Sequence, residues 1–242
     1  MTTLRLQGGH FGVIIRDRFG IGARTVPKPH NTYCMRKHTI SKDEISALPL
    51  RSYTGTIHVM DSDAKMSAAV RALGSEKVLG FDTETRPAFK KGESYPPSLV
   101  QLAASNSVYL FQLQHIGSYG PLAGILSDER VLKAGVAVAD DIKKLHAVFP
   151  FEPSGFIELS CLSAKAGIKN AGVRSLAALL FGFRISKHTK CSRWDASTLS
   201  RTQITYAGTD AWICREIYFT LLGNTGTLLG TTLKQRSCER IK

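Results

Sequence analysis

Two acids separated by one residue close an apolar run, in the order Val78, Leu79, Gly80, Phe81, Asp82, Thr83, Glu84, Thr85. Side chains alternate across an extended strand, so Asp82 and Glu84 project to the same side. Carboxylates held that close repel, and one pKa must rise unless a cation lies between them. Magnesium and manganese suit such a place, because both accept carboxylate and phosphate oxygens. Asp140 and Asp141 follow a second apolar run and open a helix, where unpaired amides and the helix dipole favour negative charge. Tyr206 and Asp210 stand four apart in a third, helical pattern and share a face. A phenol beside a metal-holding carboxylate can orient an attacking water. Taken pair by pair, each arrangement also has an ordinary account: a solvated strand edge, a helix cap, a helix surface.

The elements that must position these groups can be read from periodicity. Residues 55–59 and 77–85 read as strands, separated by a helix that Ser62 or Asp61 caps and that buries Met66, Ala69, Val70 and Leu73. A loop rich in proline and glycine spans 86–97. Residues 99–103 and 108–111 then read as strands that a turn at 105–107 joins into a hairpin. A helix over 122–126 precedes a short apolar strand, 131–138, of the kind buried on both faces. Asp141 opens the next helix, with Ile142, Leu145, His146 and Phe149 on its apolar face and Pro150 ending it. Two further helices are predicted around Leu159 to Ala166 and Leu176 to Leu180. A long last helix, capped by Ser200, buries Ile204, Ala207, Ala211 and Ile217. Strands first and helices later, with one strand returning, describes an α/β domain with a mixed sheet.

Composition narrows the class. The 242 residues suffice for one well-buried core, and 32 lysines and arginines against 19 acids leave a net charge of +13. Residues 1–42 carry eight basic residues and one acid, and residues 223–242 carry four and one, so most of the surplus lies in the flanks. The organisation predicted is a basic N-terminal extension over 1–50, a catalytic body over 51–222 and a basic tail over 223–242, with the flanks suited to a polyanionic partner. A strand around Phe11 to Ile15 is predicted within the extension. Five scattered cysteines without zinc-ligand spacing fit a reducing, cytoplasmic environment, and no apolar run is long enough to span a membrane.

Together the three motifs resemble the DEDD superfamily of 3′ to 5′ exonucleases, in its tyrosine-containing branch, which includes ribonuclease D and the exonuclease domain of the Werner syndrome protein. Phe81 to Thr85 with Arg86 and Pro87 match the first motif, Lys133 to Leu145 the second, and Tyr206 to Ala211 the third, with Gly208 where alanine is more usual. The spacing to Leu145 assigns the second-motif role to Asp141 over Asp140. Ser192, Arg193 and Trp194 look like the same branch, whereas Glu158 stands where members often carry aspartate.

The resemblance spans about residues 53–222 and implies an RNase H-like mixed sheet flanked by helices. It further implies that Asp82, Glu84, Asp141 and Asp210 surround two divalent cations, Mg2+ or Mn2+, which activate a water and stabilise the departing 3′ oxygen. Tyr206 would position that water and help to remove its proton. Nucleoside 5′-monophosphates would leave one at a time from a single-stranded or frayed 3′ end of RNA or DNA.

For substrate contacts, Thr83 and Thr85 are potential hydrogen-bond donors, and Phe81 or Leu102 could pack on the terminal base or sugar. Gln101 could reach substrate or serve as a core amide. Arg193 and Trp194 could supply a phosphate contact and a stacking surface, packing being the alternative for the tryptophan. A binding module of the same fold without hydrolytic activity is the competing reading. The presence of every expected acid and of Tyr206 speaks against it.

Overall fold

The computed structural model describes residues 37–228, except 188 and 190, with the side chains of 224–228 also outside the description. The strand predicted around Phe11 to Ile15 and the tail beyond 228 lie outside the described residues. Six strands form one mixed sheet in the order β1-β4-β3-β2-β5-β6, where β1 is Thr56–Met60, β2 Val78–Thr85, β3 Pro97–Ala103, β4 Ser107–Gln112, β5 Leu132–Gly135 and β6 Phe156–Glu158. β2, β3 and β4 are antiparallel neighbours, and β3 and β4 form the expected hairpin, closed by Ala104 N–H donating to Ser107 O at 2.9 Å. β1 joins β4, β5 joins β2 and β6 joins β5, all in parallel.

Helices cover both faces. α1 is Lys42–Ala47, α2 Asp63–Leu73, α3 Gly120–Ser127, α4 Val138–His146, α5 Leu159–Lys165, α6 Val173–Phe181 and α7 Arg201–Leu228. One face of the sheet packs Leu79, Phe81, Val100, Leu102 and Phe111 against Met66 and Leu73 of α2, Leu122 and Leu126 of α3, and Ile142 and Leu145 of α4. The opposite face lies under α7. There Val78 and Ala134 meet Ile213, Ile217 and residues of α5 and α6, and Leu99, Ala103 and Leu110 meet Ala207, Ala211 and Trp194.

Strand β2 shows how alternation assigns its side chains to the two layers. Val78, Gly80, Asp82 and Glu84 face α7, whereas Leu79, Phe81 and Thr83 face the α2 to α4 layer. Gly80 is where α7 comes closest: a Cβ there would stand 1.9 Å from the Ala211 carbonyl oxygen. Only glycine permits that approach.

Several boundaries differ from the sequence reading. β5 stops at Gly135, and Val138 already belongs to α4 because Ala137 takes a left-handed turn (φ 61°) between them. Phe149, expected on the helix face, follows its end and stacks on Tyr119 at 4.7 Å. β6 and α1 carry too few residues to show a period.

The expected boundary at residue 51 falls inside a segment docked on the body. Lys169 N–H donates to His38 O, Asn170 exchanges two hydrogen bonds with Ile40, and Leu50 bridges to Arg184. At the other end α7 continues without a break through residue 222. Its start is as expected: Ser200 Oγ accepts from Gln203 N–H while the Gln203 amide oxygen accepts from Ser200 N–H.

Candidate active site

The C-terminal half of β2 and the middle of α7 bring three carboxylates together. Ligand oxygens of Asp82, Glu84 and Asp210 all lie within 4.8 Å of one another, with Glu84 and Asp210 buried and Asp82 half-buried. Strand alternation sets the first two on the α7 face, and the close packing at Gly80 draws Asp210 down to them. Three like charges in partial burial repel strongly, so a divalent cation fits the space among them.

Tyr206 lies one helical turn before Asp210 and is hydrogen-bonded to it. Burial, followed by the charges of Asp210 and Glu84, pushes the phenol far above its ordinary pKa. Such a phenol remains a donor at any working pH. The same acids are felt deeper in the core, where burial first, then Asp82, Asp210, Glu158 and Asp141, raise the Cys214 thiol.

Asp141 approaches from the other layer. Thr83, which points away from α7, donates to Asp141 Oδ1 at 2.6 Å and so ties α4 to the strand between Asp82 and Glu84. Asp141 is not one of the three acids grouped within 4.8 Å. Burial raises its pKa to about 6, against the opposing effects of Thr83 and Lys144. Neither Asp140 nor Asp141 caps α4. The Val138 N–H donates to Glu158 Oε2 at 3.0 Å, while Glu158 Oε1 accepts from Ser160 N–H and its hydroxyl at the start of α5. Glu158 thus joins the two helix starts, a role that its position in a three-residue strand conceals in the sequence.

The expected substrate contacts divide differently. Phe81 and Leu102 are fully buried in the layer away from α7, so neither offers a surface to a terminal base or sugar. Trp194 is also fully buried, tilted against Tyr206 at 6.0 Å, and packs the site from behind without providing a stacking platform. Gln101, paired in register with Asp82, is wholly enclosed, and neither its amide nitrogen nor its oxygen has a partner. It is neither the substrate contact nor the satisfied core amide that its type predicts. Thr83 serves Asp141. Thr85 follows an irregularity in the β2–β3 register and stays half-buried. Arg193 is exposed and lies 3.6 Å from Asp195, which also binds Arg86. His146, expected to pack on its helix, is an exposed residue whose ring contacts Phe151 edge-on.

A mixed sheet whose central strand and the helix packed across it gather three carboxylates is an arrangement that can hold a divalent cation and serve phosphodiester hydrolysis. The family described as 3′-5′ exonuclease matches residues 57–224, and the chain belongs to it. It is 34% identical over 146 residues to Exonuclease 3′-5′ domain-containing protein 2 of Drosophila melanogaster, covering 59% of this chain and 25% of that protein. Ribonuclease D of Acidiphilium cryptum is 29% identical over 164 residues, covering 66% of this chain and 41% of that one. The chain therefore spans between a quarter and about two fifths of the length of these relatives. In structure it is similar to the Aedes aegypti Nibbler EXO domain, with a TM-score of 0.67 at 24% identity, covering 75% of this chain and 94% of that one. That likeness establishes the RNase H-like fold. Among the described residues no helix is long and apolar enough to cross a membrane.

Proposed function

We propose that this chain is a divalent-metal-dependent exonuclease that removes nucleoside 5′-monophosphates from single-stranded or frayed 3′ ends of RNA or DNA. The observation that carries the reading is the close grouping of Asp82, Glu84 and Asp210 with Tyr206 hydrogen-bonded to the last. Magnesium or manganese, when bound, supplies water activation and charge neutralisation at the phosphodiester. Asp82, Glu84 and Asp210 are the residues that would hold it, with Asp141 completing the set from α4.

Tyr206 positions the attacking water as a hydrogen-bond donor. In the metal-free protein, burial and the charges of Asp210 and Glu84 keep its phenol protonated and able to donate. Thr83 fixes the Asp141 carboxylate, and Trp194 backs Tyr206 so that its ring holds one orientation.

The test uses 5′-labelled RNA and DNA oligomers, single-stranded and duplex, with magnesium or manganese. A ladder shortening from the 3′ end is expected, abolished by chelator and by Asp82→Ala or Asp210→Ala. Internal cuts, or activity indifferent to both substitutions, would falsify the mechanism. Binding without any cleavage would favour the non-hydrolytic module.

A further inference from the structure

Toward its N-terminus, the α7 face that carries Tyr206 and Asp210 borders a cleft of about 380 Å3. This lies within the size range of small-ligand sites. Arg51 stands on one wall, Thr189 on another, and Arg201 and Thr202 on α7, while Tyr206 and Asp210 join the cleft to the acid cluster. The walls are fixed by backbone. Arg51 N–H donates to Arg184 O and Arg184 N–H to Pro49 O, both at 2.9 Å, and Tyr53 N–H donates to Thr209 Oγ1 at 3.0 Å.

Two arginine side chains in this cleft lack partners among the described residues. Arg86, Arg130, Arg193 and Arg215 each face a carboxylate, but the exposed side chains of Arg51 and Arg201 have neither an ion pair nor a hydrogen bond. Thr189 is 7% exposed and lines the cleft, where its hydroxyl can serve as a donor. Two uncommitted guanidiniums and a sheltered hydroxyl match phosphate oxygens. Among the described residues that line it, only Tyr206 is aromatic.

We propose that this cleft binds backbone phosphates of the strand 5′ to the scissile bond, with Arg51 and Arg201 as the phosphate ligands and Thr189 as an added donor. The proposal rests on the exonuclease reading for the strand's direction. Arg201 and Asp210 are nine residues apart on α7, roughly 13 Å along its axis at 1.5 Å per residue. A backbone rising by at least about 3.4 Å per nucleotide would need only a few nucleotides to run from the acids to Arg201. The contact is to phosphate and therefore independent of sequence.

The test measures binding of a 5′-fluorescein octanucleotide to the full chain by anisotropy across a salt series, with chelator present so that nothing is cut. Arg51→Met and Arg201→Met should each lower the slope of log affinity against log salt by about 0.7, and the pair by about 1.4. Arg51→Lys with Arg201→Lys should restore most of the slope, and Arg130→Met, whose arginine is paired with Asp128 outside the cleft, should leave it unchanged. Slopes equal in wild type and the double methionine variant overturn the proposal. So does displacement of the octamer by inorganic phosphate or a nucleoside monophosphate at the octamer's own concentration, which would mark a site for free phosphate. Binding needs no cleavage, so an arginine-dependent binder that leaves 3′ ends intact sinks the exonuclease reading and keeps the cleft. Trimming with an unaltered salt slope does the reverse.

Discussion

Replacing Gly80 by alanine tests the contact that brings Asp210 to the acids of β2. The added Cβ would lie 1.9 Å from the Ala211 carbonyl oxygen and 2.9 Å from both the Ala211 carbonyl carbon and the Arg215 amide nitrogen. Real Cβ contacts stay above about 3.0 Å, so α7 must retreat by at least about 1.1 Å at the residue following Asp210. Both partners are backbone, and Arg215 Nε is further tied to Val78 O at 3.2 Å, so no side-chain rotation relieves the clash. Overpacking of this kind costs about 1–3 kcal/mol. A displacement of roughly 1 Å in a catalytic group costs on the order of a hundredfold in rate. Urea denaturation and single-turnover trimming of a labelled oligomer, read side by side, measure the two effects. Gly208→Ala is the matched comparison on the same helix: its Cβ would meet the end of the Ile57 side chain at 2.5 Å, which can rotate away at a cost below about 1 kcal/mol. Wild-type stability and turnover in the Gly80 variant, or a larger defect in the Gly208 variant, would refute the reasoning.

Lys133 is fully buried, donates to the Asp128 and Val131 carbonyls at 2.8 and 2.7 Å, and has its pKa lowered to about 8 by burial. The unfolded chain holds that proton up to about pH 10.5, so stability should rise between pH 8 and 9.5 by about 2 kcal/mol, and Lys133→Met should lack this rise in urea midpoints. Thr83→Val removes the donor that favours ionised Asp141, so in the metal-free protein the Asp141 carboxyl, near 6, should titrate at higher pH by carboxyl-carbon NMR; an unmoved titration separates Thr83 from Asp141. Gln101→Met deletes an enclosed amide without partners and should raise unfolding free energy by about 1–2 kcal/mol. A comparable loss of stability would show that the amide is satisfied in solution.

Local periodicity was enough to set Asp82 and Glu84 on one side of a strand, Tyr206 and Asp210 on one side of a helix, the hairpin between β3 and β4, and the Ser200 cap. Each of these follows from dihedral geometry within a few residues, which any chain with that pattern obeys. Which layer covers each side of β2 is not a local property. Alternation separates Phe81 from Asp82, but only the packed helices decide that Phe81 and Leu102 are sealed beneath α2, α3 and α4 while Gln101 and Trp194 are enclosed beside α7. The long-range groups follow the same rule: Lys133 is charged by type yet enclosed by its surroundings, and Glu158 caps a helix that begins twenty residues earlier. The sequence by itself named the carboxylates. Tertiary packing decided which three of them meet, because their meeting depends on how closely a glycine lets one backbone approach another.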